Sequence, residues 1–199
     1  MGKKETRERI FQAALAIFSK KGYSATTTRE IAAHAGVTEV TLFRHFGTKE
    51  YLFQEAILRF SPASILTDEL DEKLTGDLHH DLKLLAKRYL TNAMENVEQI
   101  RIGVMEAPRN PELARAVCQI PIRLTSHLAA HLEEISKKGE MPEQNFKLKA
   151  QMFYNVLFQN VFSACTVPAI RFDFDEEEFI ETLVSLFVNG LTGTEKDEV

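Results

Sequence analysis

The sequence has little of what builds most enzyme active sites and disulfide-rich secreted proteins. Only two cysteines occur among its 199 residues, and neither Cys118 nor Cys165 has neighbours at metal-site spacing. Both lie in apolar helical patterns, which predicts buried free thiols in a reducing cytoplasm. The chain also lacks the G-x-S-x-G, Walker, G-x-G-x-x-G and HExxH motifs. We therefore expect neither an enzyme nor a bound cofactor.

Strand-like alternation, internal repeats and low-complexity tracts are absent as well, so the sequence predicts an all-α protein. The N-terminal segment has no apolar core and hence no secretory signal. Its Gly2 and Thr6 fit a myristoylation pattern, although a basic N-terminal arm explains the same residues. Residues 150–170 carry no charge, a length that could suggest a membrane span. Polar side chains recur along them every three or four positions, which instead predicts a soluble helix buried on nearly all sides. We expect a cytoplasmic protein with no membrane partner.

The formal net charge of −5 is distributed unevenly along the chain. Residues 1–60 hold ten Lys or Arg and six Glu, a net charge of +4, so the remaining residues carry −9. A basic N-terminal part and an acidic remainder are typical of a protein that meets phosphate groups at one end only. The distribution of charge therefore indicates a nucleic-acid partner, although the total is negative.

The stretch 27–49, TTREIAAHAGVTEVTLFRHFGTK, predicts two short helices joined by a tight turn. Thr27 and Glu30 have the spacing of a capping box at the start of the first helix. Gly36 falls where that helix must end, and glycine readily adopts the left-handed conformation needed there. Thr38 is the predicted N-cap of the second helix. The pattern indicates a helix-turn-helix, although an ordinary corner between two helices has similar signals.

The second helix of this stretch has one apolar and one polar side. Leu42 and Phe46, four residues apart, face inward in the pattern. The outward side chains are hydroxyl, acidic and basic groups: Thr38, Glu39, Thr41, Arg44 and His45. Such a side suits the reading of base edges in a DNA groove. After a break at Gly47, Thr48 caps a third helix whose first residue, Lys49, is placed to bind a phosphate.

The segment GYSATTTREIAAHAGVTEVTLFRHFGTKEYLF resembles the DNA-binding region of the TetR family of bacterial transcriptional regulators, from Arg9 to about Leu58. The resemblance implies a supporting first helix, a helix-turn-helix made by the second and third helices, and a fourth helix that leads to a ligand-binding domain. It also implies a homodimeric repressor that binds a palindromic DNA operator and is released by a small molecule. DNA contacts are expected from Thr27, Thr28, Thr38, Glu39, Val40, Thr41, Phe43, Arg44, His45 and Lys49.

Two positions depart from the family pattern. Phe43 stands where a Tyr is usual, so a contact between that hydroxyl and a phosphate is lost. Glu39 is acidic where a basic or small residue is common. Its carboxylate could accept a hydrogen bond from a cytosine amino group, or it could point away from DNA.

The rest of the sequence predicts a larger helical domain. We divide the chain into a helix-turn-helix domain at 1–47, a linking helix at 48–62 that ends at Ser61-Pro62, and an effector-binding and dimerisation domain at 63–199. Helices are predicted at 77–95, 97–107, 110–138, 142–167 and 175–191. The last two have apolar faces wide enough to pair with their two-fold copies.

The resemblance places an effector between the middle helices of the second domain, a region that is aromatic and Met-rich in this sequence. The residues predicted to line the site are Met94, Met105, His127, Asn155, Phe158, Gln159 and Phe162. They favour a small apolar or aromatic effector, although the same side chains would fill an ordinary core. His127 and His131, four residues apart, could hold a metal, but no third ligand has matching spacing. A different interpretation is a TetR-like protein that serves as a DNA-bound platform for another protein.

Overall fold

The computed structural model describes residues 2–58, 73–139, 141–166 and 175–193. These residues form nine α-helices and no β-strand, which confirms the predicted all-α class. The helices are α1 Lys3–Ala25, α2 Thr28–His34, α3 Glu39–Phe46, α4 Lys49–Leu58, α5 Leu78–Glu95, α6 Val97–Glu106, α7 Pro111–Lys137, α8 Phe146–Thr166 and α9 Glu176–Thr192. Within the described ranges, no helix has the length and apolar character needed to cross a membrane.

The chain forms two compact units. The first combines Met1–Ser61 with Asn96–Cys118, and the second combines Pro62–Glu95 with Gln119–Val199. The predicted domain boundary at Ser61-Pro62 lies outside the described residues. The sequence division does not anticipate that α6 and the start of α7 pack with the N-terminal helices.

The first unit has one apolar core to which each of its helices contributes. Helical spacing places Ile10, Ala14 and Phe18 on one side of α1, and all three are fully buried. Other contributors are Ile31 from α2, Leu42 and Phe46 from α3, Phe53 from α4, Ile102 from α6 and Leu113 from α7. The rings of Phe18 and Phe53 meet edge to face with centroids 4.8 Å apart. Because burial of each such side chain stabilises by about 1.5–3 kcal/mol, α2 and α3 are held on a firm support.

In the second unit, α5 packs against both α8 and α9. Tyr89 of α5 and Tyr154 of α8 are buried with ring centroids 5.5 Å apart. Phe153 of α8 meets Phe187 of α9 edge to face at 5.2 Å. Aromatic contacts of this geometry add to the gain from apolar burial. They join the three helices into one core.

A buried carboxylate anchors the start of α5. Asp81 is only 1% exposed. It accepts hydrogen bonds from the backbone N–H groups of Thr75 and Gly76, at 2.9 and 2.8 Å, and lies 2.8 Å from His131 Nε2. Burial opposes ionisation of the carboxyl group, but these donors outweigh it, so the pKa of Asp81 is lowered. The segment before α5 is thereby tied to α7.

The predicted burial of α8 on nearly all sides is wrong. Phe153 and Leu157 are fully buried, whereas Met152 and Val156 are 53% and 41% exposed. Successive helical residues point about 100° apart, so these two pairs occupy different faces. The stretch lacks charge because apolar residues lie on both faces, and lack of charge does not by itself distinguish a core helix from one with an apolar outer surface.

The prediction of two buried thiols is correct for one of them. Cys165 is buried in α8, but Cys118 on α7 is exposed. The reason is again helical phase. Leu113 is buried and Val117, four residues later, is partly buried, so the next residue turns away from that side.

Candidate nucleic-acid interface and effector region

The first helix of the motif begins and ends as predicted. Thr27 Oγ1 accepts from the Glu30 N–H at 3.2 Å, and Glu30 Oε2 accepts from the Thr27 N–H at 3.1 Å, which completes the capping box. The Lys21 ammonium lies 2.6 Å from Glu30. Its hydrogen bond, followed by those from Thr27, lowers the pKa of Glu30 to about 2. Gly36 follows the helix with φ of 64°, the left-handed conformation that the turn requires.

The starts of α2 and α3 bring five of the predicted DNA-contact residues together. Thr38 caps α3 by accepting from the Thr41 N–H at 3.2 Å, and the two hydroxyl oxygens are 3.0 Å apart. Across the turn, Thr28 Oγ1 donates to Glu39 Oε1 at 2.8 Å. Val40 has 78% of its surface exposed. The first turn of α3 therefore presents hydroxyls, a carboxylate and an apolar side chain side by side.

The second half of α3 is more basic. Arg44 is exposed, and Phe43 is 43% exposed. Partial burial, and then the positive charges of Arg44, Lys3 and Arg7, lower the pKa of His45. A lowered pKa favours the neutral imidazole over the cation. Arg44 and Lys3 add positive potential beside the helix, which favours phosphate binding, while Arg7 is ion-paired with Glu55.

Two arginines of α1 hold the motif in place, although the sequence pattern does not single them out. Arg7 Nη1 donates to the carbonyl of His45 at 2.9 Å, and its guanidinium lies 4.4 Å from the centroid of the Phe46 ring. Arg9 Nη2 donates to the carbonyl of Gly36 at 3.1 Å. These bonds satisfy a carbonyl in the last turn of α3, which helices leave without an intrahelical partner, and a carbonyl in the turn after α2. They join residues far apart in sequence, so no local signal could have identified them.

Lys49 lies at the start of α4, as predicted, but its ammonium group is engaged within the protein. Lys49 Nζ donates to the carbonyls of Tyr23 and Thr26 at 2.7 and 2.6 Å, and it lies 4.2 Å from the centroid of the Tyr23 ring. Burial lowers the pKa of Lys49. Of the three N–H donors of a lysine, two hold the end of α1. The predicted contact of Lys49 with a phosphate stays a prediction.

The residues predicted to line an effector site do not come together as one set. Met105 belongs to the first unit, and the other six belong to the second. Those that are exposed are Met94, Met105, Asn155, Phe158 and Gln159. The helical pattern of 77–95 also predicts an inward Met94, and this is wrong, because Ala93 lies on the buried side of α5 at this level. The rings of Phe158 and Phe162 lie 5.9 Å apart on α8.

His127, a member of the predicted set, lines a groove in the part of the chain that the structure describes. A groove of about 480 Å³ in the second unit is bordered by Leu74, Thr75, Gly76, His127, Ala130, His131, Glu134, Ile135 and Lys138. It combines an apolar wall with two imidazoles and a charged group of each sign. In the part of the chain that the structure describes, no three His, Cys, Asp or Glu residues are arranged to hold a metal. His131 is hydrogen-bonded to Asp81 instead.

Family models match both parts of the chain. Residues 10–56 match the model of the bacterial regulatory proteins of the tetR family. Residues 80–189 match the C-terminal domain of AefR-like transcriptional repressors. The two matches cover most of the helices described above, including α2 and α3.

Individual relatives agree with this assignment. The chain is 29% identical over 189 residues to YvkB of Bacillus subtilis, an uncharacterized HTH-type transcriptional regulator, with 94% of this chain and 97% of that protein covered. It is 38% identical over 137 residues to an HTH-type transcriptional repressor of Mycobacterium tuberculosis, with coverages of 66% and 67%. A TetR-family crystal structure from Mesorhizobium loti superposes with a TM-score of 0.77 at 27% identity, with coverages of 97% and 100%. The chain belongs to the TetR family of bacterial transcriptional regulators and is not an enzyme.

Proposed function

We propose that this regulator is a repressor that binds a palindromic operator as a homodimer and leaves it when a small molecule binds the second unit. The observation that most directly supports DNA binding is the structure of the first turn of α3. This turn presents polar and apolar groups that can contact base edges in the major groove: the Thr38 and Thr41 hydroxyls, the Glu39 carboxylate and the exposed Val40 side chain. Arg44 of α3 and Lys3 of α1 act on His45 and supply positive potential that favours phosphates. The repressor role is supported by the AefR-like repressor match and by the mycobacterial relative.

The operator test is selection of binding sites from random-sequence DNA, followed by affinity measurements on the selected duplex. A dimer of this family should enrich a palindrome whose half-sites are one helical turn apart, roughly 34–36 Å. Thr41→Ala and Arg44→Ala should change the enriched bases if these side chains reach base edges. Recovery of no common sequence would contradict operator binding. If both variants lose the same affinity on all sequences, Thr41 and Arg44 contact only the DNA backbone.

The proposed dimer contact lies on α8 and α9. Leu148, Met152 and Val156 recur every four residues on α8 and are exposed by 51%, 53% and 41%. On α9, Leu186 is 66% exposed. Contiguous exposed apolar surface of this kind marks interfaces in soluble proteins, and a self-complementary patch gives a two-fold dimer.

The proposed effector site is the groove that contains His127. Leu74, Ala130 and Ile135 provide an apolar wall, and Glu134 with Lys138 provides charged groups at the rim. This lining fits a small molecule with an apolar or aromatic body and at least one polar group. The sequence favours a small apolar or aromatic effector, and the charged rim of the groove adds the expectation of a polar group on that effector.

The effector proposal is tested by linkage. Small aromatic carboxylates, amines and alcohols are screened by thermal shift, and any compound that binds is titrated with and without operator DNA. A releasing effector should bind about 5–150-fold more weakly in the presence of operator, because coupling of 1–3 kcal/mol is typical and reciprocal. His127→Ala should abolish its binding. Equal dissociation constants with and without operator would favour the platform interpretation for that compound.

A further inference from the structure

The acidic side chain of α3 is held in a defined orientation by a neighbouring helix. Glu39 stands at the first position of α3 and Thr28 at the first position of α2. Thr28 Oγ1 donates to Glu39 Oε1 at 2.8 Å in a partly buried contact. An ionised carboxylate has two oxygens with about four lone-pair positions. The bond to Thr28 occupies one of them, and the carboxylate retains further acceptor capacity.

A carboxylate at this place is unfavourable beside DNA unless a base group pairs with it. The first turn of a recognition helix approaches the base edges between two phosphate chains. There a negative charge is repelled by phosphates and must give up part of its hydration. In the major groove only the amino groups of cytosine and adenine donate hydrogen bonds, and acidic side chains pair typically with cytosine N4. The positive potential around His45 offsets the repulsion but carries no base preference.

We infer that Glu39 is a specificity-determining residue that selects cytosine in each half-site, and that Thr28 is the positioning residue that orients its carboxylate. This inference rests on the proposed operator binding. It also changes the expected role of Thr28. A threonine hydroxyl has one hydrogen, so a Thr28 that donates to Glu39 does not donate to a phosphate at the same time.

The test compares the bases selected from random-sequence DNA by the wild-type chain and by Glu39→Gln, Thr28→Val and Thr28→Ser. Glu39→Gln keeps the size of the side chain but adds a donor, and glutamine pairs with adenine through N6 and N7. We expect the wild type to prefer cytosine at one position of each half-site. Glu39→Gln should reduce that preference about tenfold and move it toward adenine. It should also bind random DNA more tightly than the wild type, because one negative charge is removed.

The Thr28 variants separate positioning from a general effect on folding. Thr28→Val keeps the shape without the hydroxyl, and it should lower the cytosine preference about two- to tenfold, the value of one hydrogen bond. Thr28→Ser keeps the hydroxyl and should restore the preference. A merely structural role would weaken binding on all sequences alike in Thr28→Val and would leave the base preference unchanged.

A matched control is Glu112→Gln, which removes the same charge outside the helix-turn-helix. The Gln54 amide donates to Glu112 Oε2 at 3.0 Å, and an amide oxygen can accept that bond as well. This variant should select the same bases as the wild type. If the wild type selects a palindrome and Glu39→Gln selects the same bases at every position, the inference is overturned while operator binding stands. If the wild type selects no sequence, the proposed function fails, and the inference fails with it.

Discussion

At the scale of single residues, Val40 is an apolar side chain kept in contact with water. Its 78% exposure on the first turn of α3 has no benefit for folding, since burial is what stabilises apolar groups. The thymine C5 methyl group is the apolar feature of the major groove. We therefore propose that Val40 packs against a thymine methyl when the operator is bound.

This contact can be tested by removing the methyl group from either partner. Replacement of the thymines of the selected operator by deoxyuridine, one position at a time, should weaken wild-type binding about fourfold at the contacted position, the value of one buried CH₂ group. The same replacement should have no effect on Val40→Ala, whose affinity is already reduced. Fluorescence anisotropy on the four combinations measures the coupling. If the effects of Val40→Ala and of deoxyuridine on affinity add at every position, Val40 does not contact a thymine methyl group.

Lys49 is predicted to bind a phosphate, but in the structure its ammonium group stabilises the end of α1. Its ammonium group holds the carbonyls of Tyr23 and Thr26, so Lys49→Ala should lower the free energy of unfolding by about 3 kcal/mol, the low end for two lost hydrogen bonds to a charged group. DNA affinity should fall as well. Urea denaturation and DNA titration of the same variant check both effects. Unchanged stability with a uniform loss of DNA affinity would mean that Lys49 acts only on phosphate.

At the scale of elements, the Asp81 anchor should make the second unit sensitive to acid. The pKa of Asp81 is lowered in the folded state. Its stabilising effect is therefore fully present above the unfolded pKa of about 4 and is lost as pH falls through the folded value. Asp81→Asn should cost about 2–3 kcal/mol at pH 7, because its NH2 replaces one of the two acceptor oxygens and opposes the donor of either Thr75 or Gly76.

The corresponding measurement is unfolding by urea between pH 7 and pH 3. The wild type should lose more stability over this range than Asp81→Asn, which lacks the titrating group. Asp77→Asn is the matched control on the same helix start. Asp77 Oδ1 accepts from the His80 N–H at 2.6 Å, and Asn is as good an N-cap as Asp. If Asp81→Asn follows the wild-type pH dependence, this anchor does not govern acid stability.

At the scale of the whole molecule, the exposed apolar side of α8 and α9 predicts the oligomeric state. Leu186→Glu should give a monomer at micromolar concentration, because a buried unpaired charge at an interface is strongly unfavourable. Phe187 is a poorer target, since its ring packs against Phe153 in the core. Thr91→Glu adds the same charge at an exposed position of α5 in the same unit and should remain dimeric. Sedimentation velocity distinguishes the two states, and a dimeric Leu186→Glu would place the interface elsewhere.

The sequence by itself determined the features that depend on near neighbours. The capping box of Thr27 and Glu30, the left-handed Gly36, the Thr38 cap and the inward Leu42 and Phe46 were all predictable. Each rests on interactions within about four residues, and helix ends and helical phase are set at that range. The family resemblance is specific for the same reason, since it is carried by one continuous stretch.

The tertiary structure alone decided which of several possible partners each side chain meets. Glu39 is bound by Thr28, Lys49 by the end of α1, and His131 by Asp81. The apolar side of α8 that carries Met152 faces outward. Sequence periodicity shows that a helix has two apolar faces, but it does not indicate which face the neighbouring helices cover. That choice depends on packing between segments distant in the chain, which decided that α6 joins the first unit and that Met94 is exposed.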